Sequence, residues 1–309
     1  MLAVLAVLAA AVLFGTTGTS QALGPGDTTP LSIGVMRLVV GGTALAAVGF
    51  ALARRRTRER RNPLPTWRAV ALMALTGLCL AAYQPLFFLG TARGGVAVGT
   101  VIALGSAPVL AGLLEWVLTR RLPSATWLGA TLLATVGVVV LGVGGTAGGT
   151  GADTGGADLL GILGSVGAGA SFAVFANAQR RLMDAGWDPF TVAGAMGAWS
   201  AGFALLALPF IDVGWVADPR GLALTLWLGL ATIAVAYTLF TWGLERLTAA
   251  TAATLTLAEP LTASILGIAV LGERLSPLAI GGLVILAAGL VLLAWGARRR
   301  DPAPFAVEG

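Results

Sequence analysis

Two charged residues inside apolar runs are the groups in this chain best able to do chemistry. Glu259 lies near the centre of the run 248–271, and Pro260 follows it directly. A carboxylate at mid-bilayer costs at least about 2.5 kcal/mol on insertion scales, so such a group faces a cavity or a partner. Pro260 has no N–H for the carbonyl of Thr256, which opens the helix beside the acid. Thr256, Glu259 and Thr262 stand three apart and are expected on one helix face. Glu259 then suits a contact to a substrate amine, a proton carrier, a structural ion pair or a helix-packing hydrogen bond. Arg37 is the one arginine well inside an apolar run. It suits a clamp on a substrate carboxylate or, equally, a fixed partner for Glu259 or for backbone carbonyls.

Aromatic and amide residues recur at comparable depths. Tyr83, Gln84 and Phe87 surround Pro85, while Tyr237 and Trp242 share a later run. Phe14, Thr17 and Gln21 are matched by Phe172, Phe175 and Gln179, with Asn177 nearby. All could line a central hollow; packing and interfacial belts are the plainer reading. The belt suits Trp116, Trp127, Trp187 and Trp295, each at the end of a run. Glu115 lies about one turn from the end of its run near Arg120 and Arg121, and is expected to reach the interface. Pro85, Pro108 and Pro260 are the candidate helix breaks.

Other chemistry is poorly supplied. Histidine is absent and Cys79 is the single cysteine, so no intrachain disulfide forms and the usual general base is missing. No nucleophile–base pair, metal cluster or phosphate loop emerges, and the expectation is neither an enzyme nor a cofactor binder. The segment 142–157 is glycine-rich but has no preceding strand and no following Lys-Ser/Thr, so it reads as a linker.

The elements that position these residues are membrane spans. Of 309 residues, 57% are hydrophobic and 11% charged, with mean hydropathy +0.90. Soluble chains carry about 25% charge. Apolar runs of roughly twenty residues suit helices crossing a ~30 Å core, and they are too long and unbroken for barrel strands. Ten spans are expected at 2–20, 30–53, 69–90, 94–118, 125–144, 158–179, 189–211, 221–244, 248–271 and 276–296. The first has no positively charged leader and has an equivalent at 158–179, so it reads as a retained span rather than a secretion signal. Two junctions are short, at Arg93-Gly94-Gly95 and at Glu273–Ser276, and are taken as matching tight turns. Glycines in the sixth and seventh runs (Gly161, Gly164, Gly167, Gly169, Gly194, Gly197 and Gly202) suit close helix packing.

Every basic residue is an arginine, and their placement orients the chain. Arg54, Arg55, Arg56, Arg58, Arg60, Arg61, Arg68, Arg120, Arg121, Arg180, Arg181, Arg246, Arg298, Arg299 and Arg300 fall on one side; Arg93, Arg220 and Arg274 fall on the other. The expected location is the bacterial inner membrane, and that asymmetry predicts that both termini are cytoplasmic. It also accounts for the net charge of +5 without a nucleic-acid partner.

The chain is also duplicated. Leu-Gly-Ser-Ala-Pro108 and Arg121-Leu122 return as Thr-Leu-Ala-Glu-Pro260 and Arg274-Leu275. Ala82-Tyr83 returns as Ala236-Tyr237, and Pro30-Leu31-Ser32 as Pro189-Phe190-Thr191. Five spans per copy is an odd number, so the copies lie inverted in the bilayer, as in secondary transporters. The division is residues 1–145, a linker 146–157, residues 158–297 and a tail 298–309.

With Leu13-Phe14-Gly15-Thr16-Thr17, Arg37, Pro108…Arg121-Leu122 and Glu259-Pro260…Gly272-Glu273-Arg274-Leu275-Ser276-Pro277, the chain resembles the EamA-type branch of the drug/metabolite transporter superfamily over residues 2–297. The resemblance implies a carrier of small metabolites, with amino acids among the family's cargoes. Thr119-Arg120-Arg121-Leu122 lacks the acid of Gly272-Glu273-Arg274-Leu275, so that acid is needed in one half at most. The expectation is a secondary active exporter working by alternating access around a midplane cavity. Its partners would be a small-molecule substrate, protons and the lipid bilayer, with oligomeric state unspecified. A facilitative channel or uniporter is the alternative. A non-transporting receptor is disfavoured because no long soluble segment is present in this sequence.

Overall fold

The computed structural model describes residues 1–56, 62–121, 123–146 and 159–298, and among them every long element is a helix. Of the linker 146–157 all but Thr146 lies outside the described residues, as do Asp158, Leu122, the tail beyond 298, and Arg58, Arg60 and Arg61. Seven helices come first: α1 (Leu2–Ala22), α2 (Pro30–Arg56), α3 (Trp67–Gly94), α4 (Val96–Thr119), α5 (Ala125–Thr146), α6 (Leu159–Asp184) and α7 (Pro189–Ala207). The eighth span combines α8 (Pro219–Leu226), a π-helical stretch (Trp227–Val235) and α9 (Ala236–Leu244). The ninth is α10 (Ala249–Leu255) and α11 (Ala258–Leu271), and the tenth is α12 (Pro277–Arg298). Ten helical stretches are long and apolar enough to span a membrane, with mean hydropathy between 1.5 and 2.5.

Starts and stops follow local chemistry. Thr66 and Thr248 accept hydrogen bonds from the free N–H groups opening α3 and α10, and Asp188 and Asp218 do so for α7 and α8, each ahead of a proline. Gly95, at φ 79°, turns α3 directly into α4, and Gly272, at φ 69°, ends α11. Both short junctions are therefore real, but they are not equivalents. In the repeat, the α3–α4 turn corresponds to the connection at Glu245–Thr248, and the turn at Gly272 corresponds to the α4–α5 connection.

Packing follows the inversion. Exchanging each span for the one five places away carries one set of contacts onto another. α3 lies on α6 as α9 lies on α1, and α4 on α6 as α11 lies on α1. α3 on α7 is matched by α2 on the π-helical stretch. α2 meets its own equivalent α7, and α5 meets its equivalent α12. At the α2–α7 crossing a Cβ on Gly42 would stand 2.8 Å from the carbonyl of Gly197, and one on Gly197 2.6 Å from that of Gly42. Only glycine on both helices permits that approach. Gly202, by contrast, has open space around it, so it takes no part in close packing.

The helix-break expectation needs correcting. Pro85 and Pro108 sit inside continuous helices, and of the three prolines only Pro260 adjoins a break, at Thr256–Leu257. One proline removes one hydrogen bond, which a packed neighbour compensates. Before Pro260 there is more competition for backbone carbonyls. The Thr254 hydroxyl donates to the Ala250 carbonyl (3.0 Å) and the Thr256 hydroxyl to that of Ala253 (2.8 Å). The π-helical stretch was not foreseen. Its wide turn presses Gly229 and Ile233 onto Gly41 of α2.

Candidate functional site

The break in span nine sets the first side chain of the site. Glu259 falls in the first turn of α11, where the positive end of a helix dipole favours an anion. Glu259 lines a cavity of ≈ 330 Å³ between the two halves. Arg37 reaches the same cavity from α2, Tyr83, Gln84 and Phe87 from α3, and Tyr237 from α9. Thr256 lines it as well, but Thr262 does not. The break rotates α11, so Thr262 packs instead where Gly15 of α1 leaves room.

Arg37 and Glu259 do not form an ion pair. Arg37 is 9% exposed, and its Nη1 donates to Gln84 Oε1 at 3.3 Å. Its Nε is buried without a partner. A guanidinium and a carboxylate thus face one hollow, each with donors or acceptors to spare. Tyr83 and Phe87 stack near-parallel on one wall, 6.1 Å between centroids. Phe14 packs on Tyr237 at 5.0 Å.

The cavity is one-sided. Its lining runs from Tyr237 and Thr256 at mid-depth to Gln21, Phe88, Thr100 and Ser264 towards the ends of their spans opposite the arginine-rich connections. On the arginine-rich side the cavity is closed, mostly by contacts between α6 and the α9–α10 region of the second half. Phe172, Phe175, Tyr237 and Phe240 form a ring cluster with centroids 4.6–6.3 Å apart. Beneath it Arg180 Nη1 donates to the carbonyls of Leu244 (3.0 Å), Glu245 (2.8 Å) and Leu247 (3.3 Å). Arg56 lies 3.6 Å from Asp188 and 3.8 Å from Glu245, tying three connections together.

Several expected lining residues lie outside the cavity. Asn177 is buried and donates to the carbonyls of Ala111 (3.1 Å) and Ala173 (2.9 Å), joining α6 to α4. Gln179, fully buried, donates to Met196 Sδ (3.0 Å) and accepts from Thr241 (2.8 Å). Trp242 lies under the Arg246 guanidinium at 5.2 Å, beyond the ring cluster. Inversion explains the split. Gln21 and Gln179 are equivalents, yet they lie at opposite depths, so a cavity open on one side meets Gln21 and not Gln179, whereas pairs near mid-depth, Phe14 with Phe172 and Tyr83 with Tyr237, line it in both copies.

Three other expectations change. Glu115 does not snorkel; its Oε2 accepts from the Ala250 N–H at 2.8 Å and so holds the start of α10. Trp127 and Trp187 are buried rather than belt residues, at 7% and 8% exposure. The Trp127 indole donates to Thr254 Oγ1 at 3.1 Å. A buried Trp with a polar tip commonly finds such a partner, and this one's is far off in sequence.

The comparisons with known proteins agree with this architecture. The EamA-like transporter family matches residues 1–143 and 159–295. The uncharacterized transporter YwfM of Bacillus subtilis (strain 168) is 39% identical over 299 residues, covering 96% of this chain and 95% of that protein. One solved crystal structure superposes with a TM-score of 0.75 at 23% identity, over 96% of this chain and 98% of its own, a likeness of fold alone. A multi-pass membrane protein with ten inverted-repeat spans, matched in both halves and close to a named transporter along its length, is a transporter of the drug/metabolite type; the chain belongs to the EamA-like transporter family.

Proposed function

We propose that this protein is a secondary active exporter of small zwitterions, amino acids foremost, working by alternating access. The observation that carries the reading is the pair Arg37 and Glu259, which share one cavity without bonding to each other. The substrate carboxylate lies on Arg37, held in place by Gln84, and the ammonium lies on Glu259 at the start of α11. Tyr83, Phe87, Phe14 and Tyr237 enclose the side chain. The closed ring cluster and Arg180 clamp favour a carrier over a continuous pore. In this reading the open side is periplasmic, since the arginine-rich side faces the cytoplasm. The membrane is the bacterial inner membrane, with both termini inside. In the alternate state the ring cluster parts and the outer half closes.

Glu259 is also the proposed proton carrier, binding a proton in exchange for the substrate ammonium. Exchange of a labelled amino acid in proteoliposomes tests the assignment. Arg37→Gln should weaken zwitterion binding about 10- to 150-fold, the equivalent of about 1.5–3 kcal/mol for a charged hydrogen bond, and should abolish discrimination against the decarboxylated analogue. Glu259→Gln should abolish discrimination against the analogue lacking the amine, and should eliminate transport driven by a pH gradient while the protein stays folded. Wild-type selectivity in both variants, or undiminished gradient-driven flux in Glu259→Gln, would overturn the reading. Saturable counterflow separates the carrier from a channel.

A further inference from the structure

A second hollow lies on the outside of the bundle, away from the central cavity. Between α4 and α5 runs a groove of ≈ 500 Å³ lined by Val109, Leu113, Trp116, Trp127, Leu128 and Leu132, with Thr135 at its deep end. Val109, Leu113, Leu128 and Leu132 are each more than half exposed although they belong to spans, so the groove opens sideways to hydrocarbon. Its length approaches one leaflet. From Trp127 to Thr135, the α5 residues that line it, α5 rises about 12 Å at 1.5 Å per residue, most of the half-thickness of a ~30 Å core. At the interfacial end stands Pro123, and Arg120 and Arg121 precede it by three and two residues in the same short connection.

Arg120 and Arg121 are exposed, and neither guanidinium has a carboxylate or hydrogen-bond partner among the described residues. Arg120 is also the one non-glycine residue described at positive φ, 57°, where its N–H closes α4 on the Trp116 carbonyl at 2.7 Å. A helix end of this shape ordinarily takes glycine or asparagine.

We propose that this groove binds one anionic phospholipid, its acyl chain along α5 and its phosphate on Arg120 and Arg121. The chain lies against Trp127 and Thr131, which reach through the wall to Thr254 Oγ1 at 3.1 and 2.9 Å. Thr254 is next to the last residue of α10. The lipid therefore sits one side chain away from the break that carries Glu259. A second copy of the chain fits less well, because a two-fold contact through this groove would bring Arg120 and Arg121 of both copies together.

The test is native mass spectrometry of the full chain titrated with phosphatidylglycerol and, separately, phosphatidylcholine. Wild type should retain one phosphatidylglycerol in preference to phosphatidylcholine. Removing each arginine should weaken retention about fivefold, so Arg120→Gln with Arg121→Gln should weaken it roughly 25-fold. Leu132→Trp, which fills the groove, should lose the lipid with both arginines intact. Arg68→Gln with Arg181→Gln, exposed arginines elsewhere on the same side, should leave retention unchanged. Equal retention of the two lipids, equal loss in the control pair, or a dimer that Leu132→Trp dissociates without change in bound lipid would overturn the proposal.

Discussion

Gly15 offers the sharpest test of how Glu259 is held. It lies where α1 touches α11, and a Cβ there would stand 2.6 Å from the Glu259 carbonyl oxygen and 2.6 Å from Thr262 Cβ. Ordinary contact begins at 3.4 Å, so α1 and α11 must separate by about 0.8 Å. Neither neighbour is the tip of a flexible side chain. Overpacking of this kind costs about 1–3 kcal/mol. Alanine in place of a helical glycine returns about 0.4–1 kcal/mol through the unfolded chain. Gly15→Ala should therefore be destabilised by about 1–2 kcal/mol net and should lose transport, because the shift moves the start of α11. Gly129→Ala in α5 is the control: nothing lies within 4 Å of its Cβ position, so it should be unchanged or slightly more stable. Thermal unfolding in detergent, with exchange in proteoliposomes, reads both. If Gly15→Ala matched Gly129→Ala in stability and exchange, α1 would not be what positions Glu259.

Three further outcomes follow from the contacts. Thr254→Val leaves the Trp127 indole N–H and Thr131 hydroxyl unpaired in a buried site, at about 1–3 kcal/mol for each unmet group, whereas Thr254→Ser keeps the hydroxyl and should lose far less on thermal unfolding. Arg180→Met removes the donor shared by three carbonyls and should destabilise the protein by about 1.5–3 kcal/mol; in a Cys79→Ser background it should also speed thiol labelling at Leu247→Cys, and an unchanged rate would contradict the closed inner side. Glu115→Ala should cost about 0.5–2 kcal/mol by uncapping α10, while Glu115→Gln, whose amide oxygen still accepts, should retain most of that in the same unfolding assay.

Much of the architecture is legible in the residues because a span is announced by some twenty apolar residues and a turn by glycine or proline. The ten spans, the turn at Gly95 and the inverted duplication follow from such local signals. Glu259 and Arg37 stand out because a charge at mid-bilayer is costly. What stays hidden depends on neighbours distant in sequence. Pro85, Pro108 and Pro260 look alike as prolines, and the threonines ahead of Pro260 distinguish the one that adjoins a break. Asn177 and Gln179 have the chemistry of a binding site but spend it on Ala111, Met196 and Thr241. Glu115 sits near two arginines in the chain, while its partner Ala250 lies in the other half. The one-sidedness of the cavity is a property of conformation, and composition carries no trace of it.

Sided thiol labelling of one pair of repeat equivalents tests the central claim most directly. With Cys79 replaced by serine, Gln21→Cys and Gln179→Cys are exposed in turn to a membrane-impermeant maleimide from the periplasmic face. Halves that enclose a cavity open on that face predict rapid labelling at Gln21→Cys and none at Gln179→Cys, with substrate cycling slowing the first. Equal labelling of both from that face, or labelling of Gln21→Cys only from the cytoplasm, would contradict the inverted arrangement around Arg37 and Glu259.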